Sequence, residues 1–139
     1  INYTGVADVG TVLHPRSLRA QGLGGSIQGM GIAMSQKWVF DPVWGVSFAN
    51  RLYTARPPGI LDVPPDMDWA AVEIPDPQNP VGAKGIGEPP VGAGSAALTS
   101  AIADALDGQC LCRTPLTADV ILSEIEGREP AYGPLDLHV

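Results

Sequence analysis

The chain has 139 residues, of which 17 are glycine and 14 proline, against two Phe and three Tyr, so it is rich in loops and modest in aromatic core material. Its apolar content of 45% is nevertheless too high for an intrinsically disordered chain. The net charge of −7 comes from scattered acids with no basic face, which argues against nucleic acid and anionic membrane surfaces as partners, and no apolar run reaches the length of a spanning helix.

The opening segment, Ile1 to Gly10, reads as a strand running into a turn. A start inside strand-like sequence, without Met or a basic leader, leads to the expectation that the chain is one part of a larger subunit. Short strands are expected at Val6–Val9 and Val12–Leu13, broken by Gly10 and stopped by Pro15. The segment Arg16–Lys37 is helical in its later part, where Ile27, Met30, Ala33 and Met34 recur at helical spacing. Its beginning, Gln21-Gly22-Leu23-Gly24-Gly25-Ser26, is too glycine-rich for a good helix and reads as a turn feeding one, with Ser26 as a cap. Exposed amides at such a turn suit an anion. The spacing does not match the G-x-G-x-x-G fingerprint after a strand, so a Rossmann site is rejected.

Trp38–Phe40 is strand-like, Asp41–Val46 turns the chain, and Val46–Leu52 is expected to pair back as a hairpin. Prolines cluster from Arg56 to Asp68, which predicts irregular extended chain. Ala70–Ile74 reads as a strand and Pro75–Pro80 as a loop. Helices are expected at Gly94–Leu106, closed by Asp107-Gly108, and at Thr117–Ile125, closed by Gly127. The tail from Arg128 to Val139 reads as extended. Short strands with about three helices make the fold class α+β.

Most of the chemistry in the chain gathers between Pro80 and Gly92. Here Glu88 stands between Gly87 and Pro89, just ahead of a helix. Gly85 and Gly87 let a ligand approach the main chain, while Pro89 and Pro90 stiffen the backbone on the C-terminal side of Glu88. The helix N-terminus favours an ionised carboxylate, and a fixed, ionised carboxylate is what a general base requires. The competing reading is a solvated glutamate in a surface loop. Lys84, the other charge in this loop, pairs with Glu88, contacts an anion, or is simply solvated. His14 and His138 have no partner at ligand spacing, and a hydrogen-bonded structural role is expected of His14. Cys110 and Cys112 lack the further ligands of a zinc or iron–sulfur site and read as two small apolar residues on a strand.

Taken together, these segments resemble one family. Gln21-Gly22-Leu23-Gly24-Gly25-Ser26-Ile27-Gln28-Gly29-Met30-Gly31 is similar to the Gln-x-x-Gly-Gly-x-x-Gln-Gly-x-Gly segment of the molybdenum-binding large subunit of the xanthine oxidase family. Val6–Gly10 resembles the strand and turn before it, Lys84–Pro90 the active-site loop, and Thr114–Thr117 with Val120 and Leu122 the end of that subunit. Order and spacing agree over about residues 5–127. Leu23, where many members carry a polar residue, departs from the pattern.

The resemblance implies the C-terminal portion of the molybdopterin-binding domains (residues 1–127, followed by a tail, 128–139). It implies a molybdenum hydroxylase that oxidises an aldehyde or an N-heteroaromatic compound, with water as the oxygen source. Glu88 falls on the catalytic base, which would take the proton from a molybdenum-bound hydroxyl. Gln21 falls on a glutamine that contacts the pterin, and Gly22, Gly24, Gly25, Lys84, Gly85 and Gly87 complete the implied cofactor-binding set. The cofactor would be a molybdenum–pterin, the cytosine dinucleotide form being one option. Iron–sulfur clusters and FAD would lie on other chains or domains. The partners would be the remainder of the molybdenum subunit and the iron–sulfur and FAD subunits. The cytoplasm is the expected compartment, with the periplasm as the alternative. Two other readings stand beside this one: a non-catalytic assembly subunit that kept the fold, and an unrelated anion-binding module built on the Gly22–Gly31 turn.

Overall fold

The structure, a computed structural model, describes residues 2–129. Strand β1 (Asn2–Asp8) pairs in parallel with β2 (Asp66–Val72), in a register that runs from Asn2 opposite Asp66 to Asp8 opposite Val72. Parallel strands require a crossover. Here it comprises the long helix α1 (Pro15–Met34), a turn near Trp44, the single-turn helix α2 (Leu52–Ala55) and a 3₁₀ turn at Ile60–Asp62. Two helices follow β2, α3 (Pro89–Ala105) and α4 (Ala118–Glu126), giving the α+β architecture expected.

Helix α1 is where structure and expectation part most. It begins at Pro15, whose ring suits the first helical position, and His14 Nδ1 accepts a 3.1 Å bond from Ser17 N. It then runs without a break through Gly22, Gly24 and Gly25, so the expected turn is absent and Ser26 is an interior residue rather than a cap. Each helical glycine costs about 1 kcal/mol relative to alanine, but close tertiary contact overrides that cost. A Cβ on Gly22 would stand 2.5 Å from Trp69 Cε2, and one on Gly25 would stand 2.9 Å from Pro90 Cβ. On Gly29 it would strike the Val91 carbonyl and lie 2.8 Å from Ser95 N, while from the facing helix a Cβ on Gly94 would reach Ser26 O at 2.5 Å. The glycines thus let α1 lie directly on β2 and on α3. Arg19 adds an ion pair to Asp68 at 2.8 Å, tying α1 to β2 from the outside.

The buried apolar core is small: Val9, Met30, Ala33, Leu116 and Val120. Fully buried Ser26 lies 2.8 Å from the Gly22 carbonyl and 2.9 Å from the Tyr3 hydroxyl. The α3–α4 connection is anchored by Leu116, whose N–H donates to Ala33 O at 2.6 Å. Asp107 and Gly108 (φ 57° and 81°) end α3, and Gly127 (φ 60°) ends α4, as expected.

Other expectations shift. Val12–Leu13 forms no strand, and β2 spans Asp66–Val72 rather than Ala70–Ile74. The hairpin shrinks to a single bridge, Phe40 to Ser47, because Asp41 Oδ1 ties up Val43 N and Trp44 N at 2.8 Å and Leu52 already starts α2. Many large apolar side chains remain on the surface, among them Trp38, Trp44 at 81% and Leu61 at 96% exposure. Apolar surface on this scale is of the kind that marks an interaction site. The expected tail lies outside the described residues beyond Glu129.

Candidate functional site

The loop that carries Glu88 joins β2 to α3 and is stitched to the β1–α1 connection. Thr11 N and Asp76 N both donate to Gly82 O at 2.9 Å, Lys84 N donates to Val9 O at 2.9 Å, and Gly10 forms an antiparallel bridge with Ala83. Gly82 has φ 69°, a left-handed conformation that favours glycine. Lys84 Nζ forms an ion pair with Asp8 Oδ2, and Asp8 Oδ1 accepts from Gly10 N at 3.0 Å. The lysine bond first, and the Gly10 amide second, hold the Asp8 carboxyl below its ordinary range. Lys84 is therefore committed to Asp8 and does not pair with Glu88, against one of the sequence expectations.

From Gly85 the character of the loop changes. The N–H groups of Gly85, Ile86, Gly87 and Glu88 have no acceptor among the described residues. A Cβ on Gly85 or Gly87 would meet nothing within 4 Å. One brace crosses to this stretch from α1: Gln21 Nε2 donates to Gly87 O at 2.7 Å. Glu88 follows at once, in the N-cap position of α3 with φ −104° and ψ −26°. Helix α3 thus begins five residues before the expected Gly94, with Pro89 and Pro90 in its first turn, so Glu88 sits on the helix end itself. Its exposed carboxylate makes no hydrogen bond or ion pair with the described residues. A cavity of about 310 Å³ opens beside the loop, lined by Val9, Thr11, Leu18, Gln21, Lys84 and Ile86.

The structure divides the expected cofactor residues in two. Gln21, Gly24, Lys84, Gly85 and Gly87 lie on or beside one open face, together with Gln28, which is exposed at helical spacing from Gln21 and Gly24. Gly22 and Gly25 are buried against Trp69 and Pro90. Their amides lie inside the α1 hydrogen-bond ladder and cannot form the expected anion cradle, because the turn that would expose them is a helix. Asp8 and Gly82 position the loop, and sequence reasoning missed both; the Asp-x-Gly spacing of Asp8 and Gly10, a common turn signal, was the available cue.

A molybdenum–pterin cofactor suits the open face. Four unpartnered backbone donors, two exposed glutamine amides and bare glycines on loop and helix fit a polar, anionic, flat-faced group better than an apolar one. Among the described residues no three His, Cys, Asp or Glu side chains are grouped to hold a metal ion directly.

The comparisons point to the same cofactor. Residues 1–64 match the family model described as the molybdopterin cofactor-binding domain. The chain is 33% identical over 119 residues to the putative xanthine dehydrogenase molybdenum-binding subunit of Escherichia coli K12, covering 86% of this chain and 16% of that protein. It is 31% identical over 136 residues to the 6-hydroxypseudooxynicotine dehydrogenase complex subunit gamma of Paenarthrobacter nicotinovorans, covering 94% of this chain and 16% of that one. The crystal structure of quinoline 2-oxidoreductase from Pseudomonas putida 86 superposes with a TM-score of 0.75 at 28% identity, over 89% of this chain and 16% of that one. Over most of its length the chain is similar to part of the molybdenum-binding subunits of the xanthine oxidase family. It spans about one sixth of the length of the relatives it matches.

Proposed function

We propose that this chain forms the base-bearing wall of a molybdenum hydroxylase active site, and that Glu88 is its general base. The observation that carries the proposal is the unpartnered Glu88 carboxylate, set on a helix end and braced on its N-terminal side by Gln21 through Gly87. A carboxylate with no internal partner is free to take a proton, and a braced backbone limits where it can be. The N–H groups of Gly85, Ile86 and Gly87, with the amides of Gln21 and Gln28, would hold the cofactor's polar edge; Lys84, bound to Asp8, would fix the loop from behind.

When bound, the cofactor supplies two-electron oxidation, by which a substrate C–H becomes C–OH with oxygen from water. The chain's own share is to hold Glu88 beside the reacting oxygen and accept its proton. An aldehyde or an N-heteroaromatic ring is the substrate class, the latter supported by the names of the relatives. Residues 1–127 would act as one contribution to the cofactor domains, with the rest of the molybdenum subunit and the iron–sulfur and FAD partners completing the electron path. Glu88→Gln in the assembled enzyme tests this. Turnover should fall by at least ~10²-fold, the low end for loss of a general base, with molybdenum content unchanged. Parental turnover in the loaded variant would favour a non-catalytic assembly role.

A further inference from the structure

We infer that Cys110 and Cys112 form a redox-active dithiol that a small-molecule disulfide closes into an intraloop disulfide. The alternation in the sequence suggests a strand for both cysteines. The structure instead has them in irregular chain between α3 and α4, both exposed, with their sulfurs 3.4 Å apart. In an extended strand, residues two apart are separated by about 6.6 Å along the chain, and their side chains stand parallel rather than converging. Here the loop is curled so that the two thiols meet. It is held at both ends, by the left-handed Asp107-Gly108 turn and by Leu116 on Ala33, so the thiols are presented from a fixed base. The Cys110 contact pushes the Cys112 thiol up.

The exchange balances without any further reactant. One of the two thiols gives up its proton to solvent, attacks the small disulfide and expels one thiolate, leaving a mixed disulfide. The other then gives up its proton to solvent and attacks the sulfur of the first, expelling the second thiolate. One disulfide is reduced to two thiols and the protein loses two hydrogens.

The test uses the whole purified protein that contains this chain. It is equilibrated with reduced and oxidised glutathione at a fixed ratio but varied total concentration, quenched in acid, alkylated and digested with trypsin. The peptide Gly85–Arg113 carries both cysteines and no third. It should appear either doubly alkylated or unalkylated and lighter by a pair of hydrogens. At fixed ratio, a tenfold rise in total glutathione should lower the oxidised-to-reduced ratio about tenfold, because two thiols are released for each disulfide consumed. Cys110→Ser and Cys112→Ser should each trap a glutathione adduct on the remaining thiol. A peptide that stays doubly alkylated throughout would overturn the inference. So would wild-type adducts whose population ignores total glutathione.

Discussion

Gly29→Ala isolates the contact that sets the geometry of the site. The added Cβ would strike the Val91 carbonyl and sit 2.8 Å from Ser95 N and 3.0 Å from Val91 C. All three are backbone atoms of α3, so no side chain can swing aside and the helices must separate. Overpacking of this kind costs about 1–3 kcal/mol, and rigid backbone places this case at the upper end. The helix gains back up to about 1 kcal/mol from the Gly-to-Ala change, leaving a net loss near 2 kcal/mol. Gly24→Ala is the matched control. Its Cβ would meet nothing within 4 Å, so only the propensity gain of about 0.5–1 kcal/mol remains. The assay is hydrogen exchange of α1 amides in the cofactor-free assembled protein. A loss near 2 kcal/mol appears as roughly 30-fold faster exchange, whereas Gly24→Ala should slow it. Equal exchange in the two variants would refute close packing as the reason for the glycines. In the loaded protein Gly24→Ala should also lower molybdenum retention, because Gly24 lies on the face assigned to the cofactor.

Gln21→Ala removes the bond to Gly87 O, whose net worth of about 1 kcal/mol predicts a roughly 5-fold drop in kcat per bound molybdenum; steady-state kinetics normalised to metal content check this, and an unchanged kcat denies Gln21 its bracing role. Lys84→Met removes the partner that depresses the Asp8 pKa. A depressed carboxylate adds stability above its ordinary value of 3.8 and loses it as pH falls through the lower folded value. The Tm gap between wild type and Lys84→Met should therefore be full at neutral pH and close only below pH 3.8. A gap independent of pH would remove Asp8 from the explanation.

Much of the site was legible in the sequence, because backbone chemistry dictated it locally. Pro89 and Pro90 after Glu88, with two glycines before it, describe a stiff carboxylate on a bare loop, and that is what the structure contains. The hydrogen-bonded role expected of His14 and the Gly127 stop were likewise local. What could not be read was set by contacts distant in sequence. The glycines of α1 look like helix breakers until Trp69, Pro90 and Val91 are known to occupy the space beside them. The same holds for Lys84, whose partner Asp8 lies 76 residues away and was not among its expected contacts. The cysteines were misread because alternation suggested a strand where the chain curls.

The stitching of the loop also decides how Glu88 can move. Lys84 is fixed to Val9 by its backbone, and Pro89 is fixed as the first residue of α3. Four residues lie between these posts, a tether whose five Cα–Cα steps span at most about 18 Å. So short a span cannot swing open as a lid. Between the posts the Gly87 carbonyl is held as well, by Gln21 Nε2 at 2.7 Å, which leaves conformational freedom at Gly85. The loop is therefore a fixed mount for the carboxylate rather than a moving cover.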